Sequence, residues 1–134
     1  MLISHGHTST IGTVYSTFVD FAYQFKCDVI VYDYTGYGHS EGEASLSEIY
    51  TDIEVVSKFA RSVLQIQISD LILFGCNIGS IPTLHLATQE EYKGIKGIML
   101  ISPISSGVRI ISNDMKIKEL ERMNNYDIFY KIRG

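Results

Sequence analysis

The sequence predicts an α/β fold with three αβα layers and a doubly wound, mostly parallel sheet of about four strands. Four short apolar runs carry this prediction: "MLIS" (1–4), "CDVIVYDY" (27–34), "LILF" (71–74) and "IKGIMLIS" (95–102). Helical periodicity fills the intervals between them. Apolar runs separated by helices of ten or more residues are typical of βαβ units, in which helices cover both faces of the sheet. We expect the strand order 2-1-3-4.

Three helices are predicted between the runs. Residues 13–25 carry apolar side chains at spacings of one, three, three, one and three. The segment "SLSE" at Ser45 has the pattern of a capping box and precedes a second apolar face. A third helix follows the glycine turn to about Gln89, with Pro82 in its first turn, where the missing N–H is tolerated. Residues 105–134 are poorly periodic and are read as loop plus a helix around 113–123.

Length and composition indicate one domain, residues 1–134, with enough apolar material for a core: 46% of the residues are hydrophobic and 19% are charged. A net charge of -4 argues against a nucleic-acid partner. Cys27 and Cys76 are read as reduced, buried thiols, and the four histidines lack metal-motif spacing, so we expect no metal and no cofactor. No signal peptide or transmembrane segment is predicted, and a cytoplasmic location is the expectation.

The stretch "LILFGCNIGSIP" (71–82) predicts a strand that turns sharply into a helix. A nucleophile elbow needs small residues two positions before and after its central residue, and Gly75 and Gly79 meet this requirement around Asn77. Asparagine tolerates positive φ, so it preserves the turn, but its amide is not a nucleophile. The alternative is an ordinary strand-to-helix turn in which two glycines happen to lie four apart.

The stretch "SHGH" after the first run is a second candidate element. In hydrolases, a loop after an early strand supplies one backbone N–H of the oxyanion hole, and the residue after the nucleophile supplies the other. Here these donors would be His7 and Ile78. The alternative is a glycine loop with solvated histidines.

Five segments together, in order and spacing, resemble the α/β-hydrolase superfamily over roughly residues 2–110. They are "LISHGH", "DVIVYDYTGYGHSEGEAS", "YTDIEVV", "LILFGCNIGSIPTLHLA" and "GIMLISPISSGVR". The most similar subfamily is the α/β-hydrolase-domain proteins that include protein depalmitoylases (acyl-protein thioesterases), and "YDYTGYGHSEG" is the most specific piece. The resemblance implies a serine ester or thioester hydrolase that acts on acyl or ester small molecules or on lipidated proteins.

The resemblance also implies roles for individual residues. The nucleophilic serine of the family falls on Asn77, and the oxyanion donors fall on His7 and Ile78. The motif loops that flank the site contain the residues His5, Gly6, Asp33, Gly36 and Gly38. No catalytic role is assigned to the loop that begins at Asp33.

The rest of the triad is not found where the family order Ser, Asp/Glu, His would place it. No histidine follows His85, and Asp114 and Asp127 are interpreted as solvated loop residues. We therefore expect a truncated, partial domain that is a pseudoenzyme as written, with sheet edges open to self-association. The alternatives are a non-enzymatic module that binds a ligand or a partner on the same fold, and an enzyme whose nucleophile arises by deamidation of Asn77.

Overall fold

The computed structural model describes residues 1–104. Four strands alternate with three helices along this part of the chain. The strands are β1 (Leu2–Ser4), β2 (Ile30–Val31), β3 (Ile72–Cys76) and β4 (Gly97–Ile101). The helices are α1 (Ile11–Phe25), α2 (Leu46–Ser62) and α3 (Ser80–Ala87), and three single 3-10 turns lie at Ile68–Asp70, Asn77–Gly79 and Glu90–Tyr92.

The sheet has the order β2-β1-β3-β4, and all three pairings are parallel. The fold class and strand order predicted from the sequence are therefore confirmed. β1 pairs with β3 through Ser4 and Gly75, which brings the carboxyl ends of these two strands to the same edge of the sheet. In open parallel sheets, functional sites lie at such edges.

Two apolar cores lie on opposite faces of the sheet, because successive side chains of a strand point to opposite sides. On one face, Ile3 and Phe74 pack with Phe18 of α1. On the other face, Leu2 and Leu73 belong to the core that α2 and α3 cover. These are the three layers that the alternating pattern predicts.

The predicted helix starts agree with the structure to within two residues. At α2, the Ser45 hydroxyl accepts a hydrogen bond from the Glu48 N–H at 3.2 Å, which is the serine half of the predicted capping box. Helix α1 begins at Ile11 rather than at residue 13, because Thr10 adopts extended backbone and its N–H donates to the Thr13 hydroxyl at 2.9 Å. The chain therefore already turns into the helix two residues before its apolar stripe begins.

The strand limits differ more from the prediction. The run at residues 27–34 forms only two paired residues, Ile30 and Val31, which pair with Leu2 and Ile3 of the three-residue strand β1. β3 extends to Cys76 because β4 pairs with it through Ile101. Helix α3 ends at Ala87 rather than Gln89, and a 3-10 turn follows.

Exposure is uneven along the predicted apolar segments. The central strands β1 and β3 are largely buried, while all residues of β2 and most of β4 are half-buried. On α1, Phe18 is buried, but the side chains of Tyr15 and Phe25 are 67% and 50% exposed. The helical stripe on α1 is thus only partly covered in the part of the chain that the structure describes.

Three further predictions concern the cysteines, the membrane and the C-terminal segment. Cys27 and Cys76 are free thiols, and both are half-buried rather than fully buried. In residues 1–104, no helix is long and apolar enough to cross a membrane. The predicted helix around 113–123, together with Asp114 and Asp127, lies outside the described residues.

Candidate functional site

The turn between β3 and α3 begins at Asn77, which has a φ of 50°. This left-handed conformation is uncommon for a residue with a side chain, and asparagine is among the few that adopt it readily. A 3-10 turn over Asn77–Gly79 leads directly into α3. The chain therefore reverses from strand to helix at the residue on which the glycine spacing centres.

Gly75 and Gly79 lie where strand and helix approach most closely. A methyl group on Gly75 would lie 2.7 Å from the Gly79 carbonyl oxygen and 2.8 Å from Ser80 Cα. A methyl group on Gly79 would overlap the carbonyl of Ser4 on the neighbouring strand. Both contacts are to backbone, which cannot move aside as a flexible side chain can. Only glycine fits at either position.

The loop after β1 packs against this turn. A methyl group on Gly6 would lie 3.9 Å from Asn77 Cβ and 4.0 Å from the Cys76 carbonyl oxygen, so the two loops are in near contact. The imidazole Nδ1 of His7 lies 3.2 Å from the side-chain Oδ1 of Asn77. The structure thus brings together two residues that are 70 positions apart in the sequence.

The predicted oxyanion donors both belong to this pair of loops. Ile78 is the second residue of the 3-10 turn, where an N–H has no acceptor within its own helix. His7 is exposed and follows Gly6 in the adjoining loop. Ile78 directly follows Asn77 in the chain, and the role of the His7 and Ile78 N–H groups as oxyanion donors remains a prediction.

His5 differs sharply from His7, because its side chain is only 1% exposed. Its Nδ1–H donates to the Gly6 carbonyl oxygen at 2.9 Å, and its ring lies 4.6 Å from the ring of Tyr34. Burial raises the pKa of the Tyr34 hydroxyl, which stays protonated and donates to the His5 carbonyl oxygen at 2.7 Å. The alternative of solvated histidines is therefore wrong for His5, which is part of the core beneath the site.

Asp33 connects the loop after β2 to the start of α1. Its Oδ1 accepts a hydrogen bond from the Ile11 N–H at 2.8 Å, and its carbonyl oxygen accepts one from the Ser40 hydroxyl at 3.1 Å. A methyl group on Gly38, which has a φ of 56°, would overlap the Asp33 carboxylate. Gly36 has a φ of 80° in the same loop. The glycines of this motif shape the loop around Asp33.

Ser80 is the nearest hydroxyl to Asn77 along the chain, but it is fully buried. Its hydroxyl donates to the Asn77 carbonyl oxygen at 2.7 Å and accepts from the Ile104 N–H at 3.0 Å. Both hydrogen-bonding functions of this hydroxyl are therefore used to hold the turn in place. Ser80 has neither the exposure nor a free proton path for nucleophilic attack.

No metal centre is found among residues 1–104, because no group of three or more His, Cys, Asp or Glu side chains could hold an ion there. What the site offers is a carboxamide at the centre of a sharp turn and an exposed imidazole within hydrogen-bond distance of it. The side-chain contact of His7 and the burial of His5 were not predicted. Neither has a local sequence signal, since both depend on which strands are neighbours.

Comparisons with known proteins extend over most of the chain. The family model described as serine aminopeptidase, S33 matches residues 1–124. Alpha/beta hydrolase domain-containing protein 17C of Xenopus laevis is 33% identical over 116 residues, covering 87% of this chain and 36% of that protein. The corresponding protein 17B of Homo sapiens is 32% identical over 116 residues, covering 87% of this chain and 39% of its own length. The chain thus spans little more than a third of these relatives.

A solved structure supports the same fold. A sugar hydrolase from Lactococcus lactis superimposes with a TM-score of 0.57 at 19% identity, covering 92% of this chain and 53% of that one. At this identity the likeness concerns the fold alone. The parallel sheet, the strand-turn-helix at Asn77 and the family match over residues 1–124 lead to one conclusion. The chain belongs to the α/β-hydrolase superfamily, within the family described as serine aminopeptidase, S33.

Proposed function

We propose that this chain carries the substrate-facing core of an ester or thioester hydrolase whose nucleophile position is occupied by Asn77, so that it forms no acyl-enzyme. The observation that carries the proposal is the φ of 50° at Asn77, between two glycines at which a methyl group would overlap or crowd backbone atoms. This geometry supports the assignment of Asn77 to the centre of an elbow. A carboxamide there has no ionisable proton to give up and no nucleophilic oxygen comparable to an alkoxide.

The substrate class in this proposal comes from the resemblance to protein depalmitoylases. An acyl ester or thioester would place its carbonyl above Asn77, within reach of the backbone N–H groups of His7 and Ile78. Such donors stabilise developing negative charge on a carbonyl oxygen even without a nucleophile. Removal of the triad nucleophile in a serine hydrolase typically leaves only this contribution, several orders of magnitude below the intact enzyme.

A fluorophosphonate probe tests the proposal directly. The probe phosphonylates an activated serine, and we expect the wild-type 134-residue chain to stay unlabelled while an active serine hydrolase in the same sample is labelled. Intact mass spectrometry gives the readout. Labelling that maps to Ser80 or Ser102 would contradict the proposal, because it would show an activated serine outside position 77. A Ser80→Ala variant serves as the matched control for any weak signal.

A second candidate function is a non-enzymatic module that binds an apolar ligand or another copy of the chain. A groove of about 340 Å³ runs between α1 and the edge strand β2, and its lining includes Val14, Phe18 and Val31. β2 pairs with β1 alone among the described strands, and unpaired strand edges favour association with another chain. Light scattering and thermal melting with a fatty-acid ligand separate this candidate from the first. A stable monomer with no ligand-dependent melting shift would argue against it.

A further inference from the structure

We infer that the His7 imidazole, supplied by the loop after β1, is placed to act as a base towards any side chain at position 77 that carries a transferable proton, which Asn77 itself does not. This inference rests on the proposed function in one respect: position 77 must be the nucleophile position. It adds a residue whose side chain had no assigned role. The base expected from the family resemblance comes from near the C-terminus, whereas His7 lies at the opposite end of the chain.

The distance between the two side chains is the first reason. His7 Nδ1 and Asn77 Oδ1 are 3.2 Å apart, at the outer limit of a normal hydrogen bond to nitrogen. A general base must lie within about this distance of the proton that it removes. Among the described residues, Asn77 is the partner of the His7 imidazole.

The second reason is that position 77 is held firmly. The backbone φ of 50°, the two closely packed glycines and the Ser80 hydroxyl bond to the Asn77 carbonyl all restrict the turn. Any side chain at this position therefore leaves the backbone in nearly the same direction. His7, by contrast, is exposed, so its ring has room to adjust by the fraction of an ångström that a different partner would require.

In the wild-type chain no proton is transferred between the His7 and Asn77 side chains. The imidazole Nδ1–H donates to the carboxamide oxygen, and an amide neither accepts nor releases a proton near neutral pH. A thiol at the same Cβ could transfer its proton to Nδ1 and form a thiolate–imidazolium pair. Sulfur suits the distance better than a serine oxygen would, because the long carbon–sulfur bond takes the reacting atom nearer to the place now held by Oδ1.

The test is the pH dependence of alkylation in an Asn77→Cys variant of the 134-residue chain, with Cys27→Ala and Cys76→Ala to remove the natural thiols. The introduced thiol passes its proton to His7 Nδ1. The thiolate then attacks the methylene carbon of iodoacetamide, a carbon–sulfur bond forms, and iodide leaves with the electron pair of the broken bond. His7 later releases the proton to solvent. The alkylation rate therefore follows the thiolate population.

At pH 6.5 we expect alkylation to be about 10-fold faster with His7 than in the same protein carrying His7→Ala, since histidine pairing lowers a thiol pKa from its usual value of about 8.5. His39→Ala is the matched control. His39 is also an exposed histidine in a neighbouring loop, and its removal should leave the pH profile unchanged. Equal profiles with and without His7 would overturn the inference while leaving the absence of a wild-type nucleophile intact. A thiol that resists alkylation even at pH 9.5 would overturn both proposals, because position 77 would then be inaccessible.

A measurement without the cysteine variant covers the case in which that variant does not fold. In ¹⁵N-labelled protein at pH 8, the imidazole of His7 should hold its proton on Nδ1 in the wild-type chain, because Asn77 Oδ1 accepts it. In Asn77→Ala, the proton should shift to Nε2, the tautomer preferred by free histidine. Identical tautomer populations in the two proteins would contradict the pairing on which the inference depends.

Discussion

The Nε2 atom of His5 lies 3.3 Å from Oδ1 of Asp33, at a site where the histidine side chain is 1% exposed. This nitrogen is buried and has no hydrogen bond of good geometry, while the same Asp33 oxygen accepts from the Ile11 N–H at 2.8 Å. The carboxylate therefore links the loop after β1, the loop after β2 and the first turn of α1. These are the elements that surround the candidate site.

Replacement of Asp33 by alanine should destabilise the protein by about 1–3 kcal/mol, because it leaves the Ile11 N–H without its acceptor and removes the carboxylate that packs beside the buried His5 ring. Urea denaturation followed by circular dichroism measures the change. Asp20→Ala is the control, since Asp20 is exposed on α1 and should shift the midpoint little. Equal losses in the two variants would show that Asp33 is only a surface carboxylate.

Gly79→Ala should cost about 3 kcal/mol or more, because the added methyl group overlaps the Ser4 carbonyl on the neighbouring strand. Gly97→Ala is a matched control in β4, where a methyl group meets nothing within 4 Å. Thermal melting of both variants compares them directly. Equal melting temperatures for Gly79→Ala and Gly97→Ala would contradict the close approach of β1 to the turn.

Ser80→Ala should destabilise the protein by about 1–3 kcal/mol, since the hydroxyl satisfies both the Asn77 carbonyl and the Ile104 N–H in a buried position. The exposed Ser62 hydroxyl, which donates to the Lys58 carbonyl oxygen, provides the comparison. Ser62→Ala should change the unfolding free energy by less than about 0.5 kcal/mol. A Ser80→Ala protein as stable as wild type would contradict the role of this hydroxyl in the turn.

Hydrogen bonds from His85 and Gln89 lower the pKa of the Glu54 carboxyl, at the contact between α2 and α3. Because the pKa is lower in the folded state, the contribution of Glu54 to stability is present above its unfolded pKa of about 4.5 and is lost as the pH falls through the folded pKa. Glu54→Gln should therefore be less stable than wild type at pH 7, and the difference should shrink below pH 4.

The size of this effect is modest, about 1 kcal/mol or less, since the Glu54 side chain is 34% exposed and water screens the interaction. Melting temperatures between pH 3 and pH 7 give the profile. Glu90→Gln is the control, because within residues 1–104 the Glu90 carboxylate pairs with Lys93 at a highly exposed position, and its replacement should leave the profile nearly unchanged. A stability difference for Glu54→Gln that grows towards low pH would contradict the sign of the pKa shift.

Much of the fold can be predicted from local patterns in the sequence. The alternation of apolar runs with helical stripes predicts the αβα layers, and the Ser45 capping segment predicts the start of α2 within one residue. The sequence predicts the lengths of the strands only in part, and β2 is an example. Residues 27–34 are mostly β-branched and aromatic, but only Ile30 and Val31 find pairing partners, in Leu2 and Ile3 of β1. The pairing partners of a strand lie far away in the sequence, so the sequence of the strand itself does not indicate which of its residues will be paired.

The candidate site, too, could be predicted from the sequence only in part. The sequence by itself determined that Asn77 is the residue with glycines at the elbow spacing, because the requirement for small flanking residues is local to five positions. Only the tertiary structure decided what surrounds it: the His7 imidazole at 3.2 Å from Asn77, the burial of His5, and the use of Ser80 to hold the turn. These depend on β1 lying beside β3. Parallel pairing of two strands some 70 residues apart sets their carboxyl ends side by side, and no property of either segment alone specifies that neighbour.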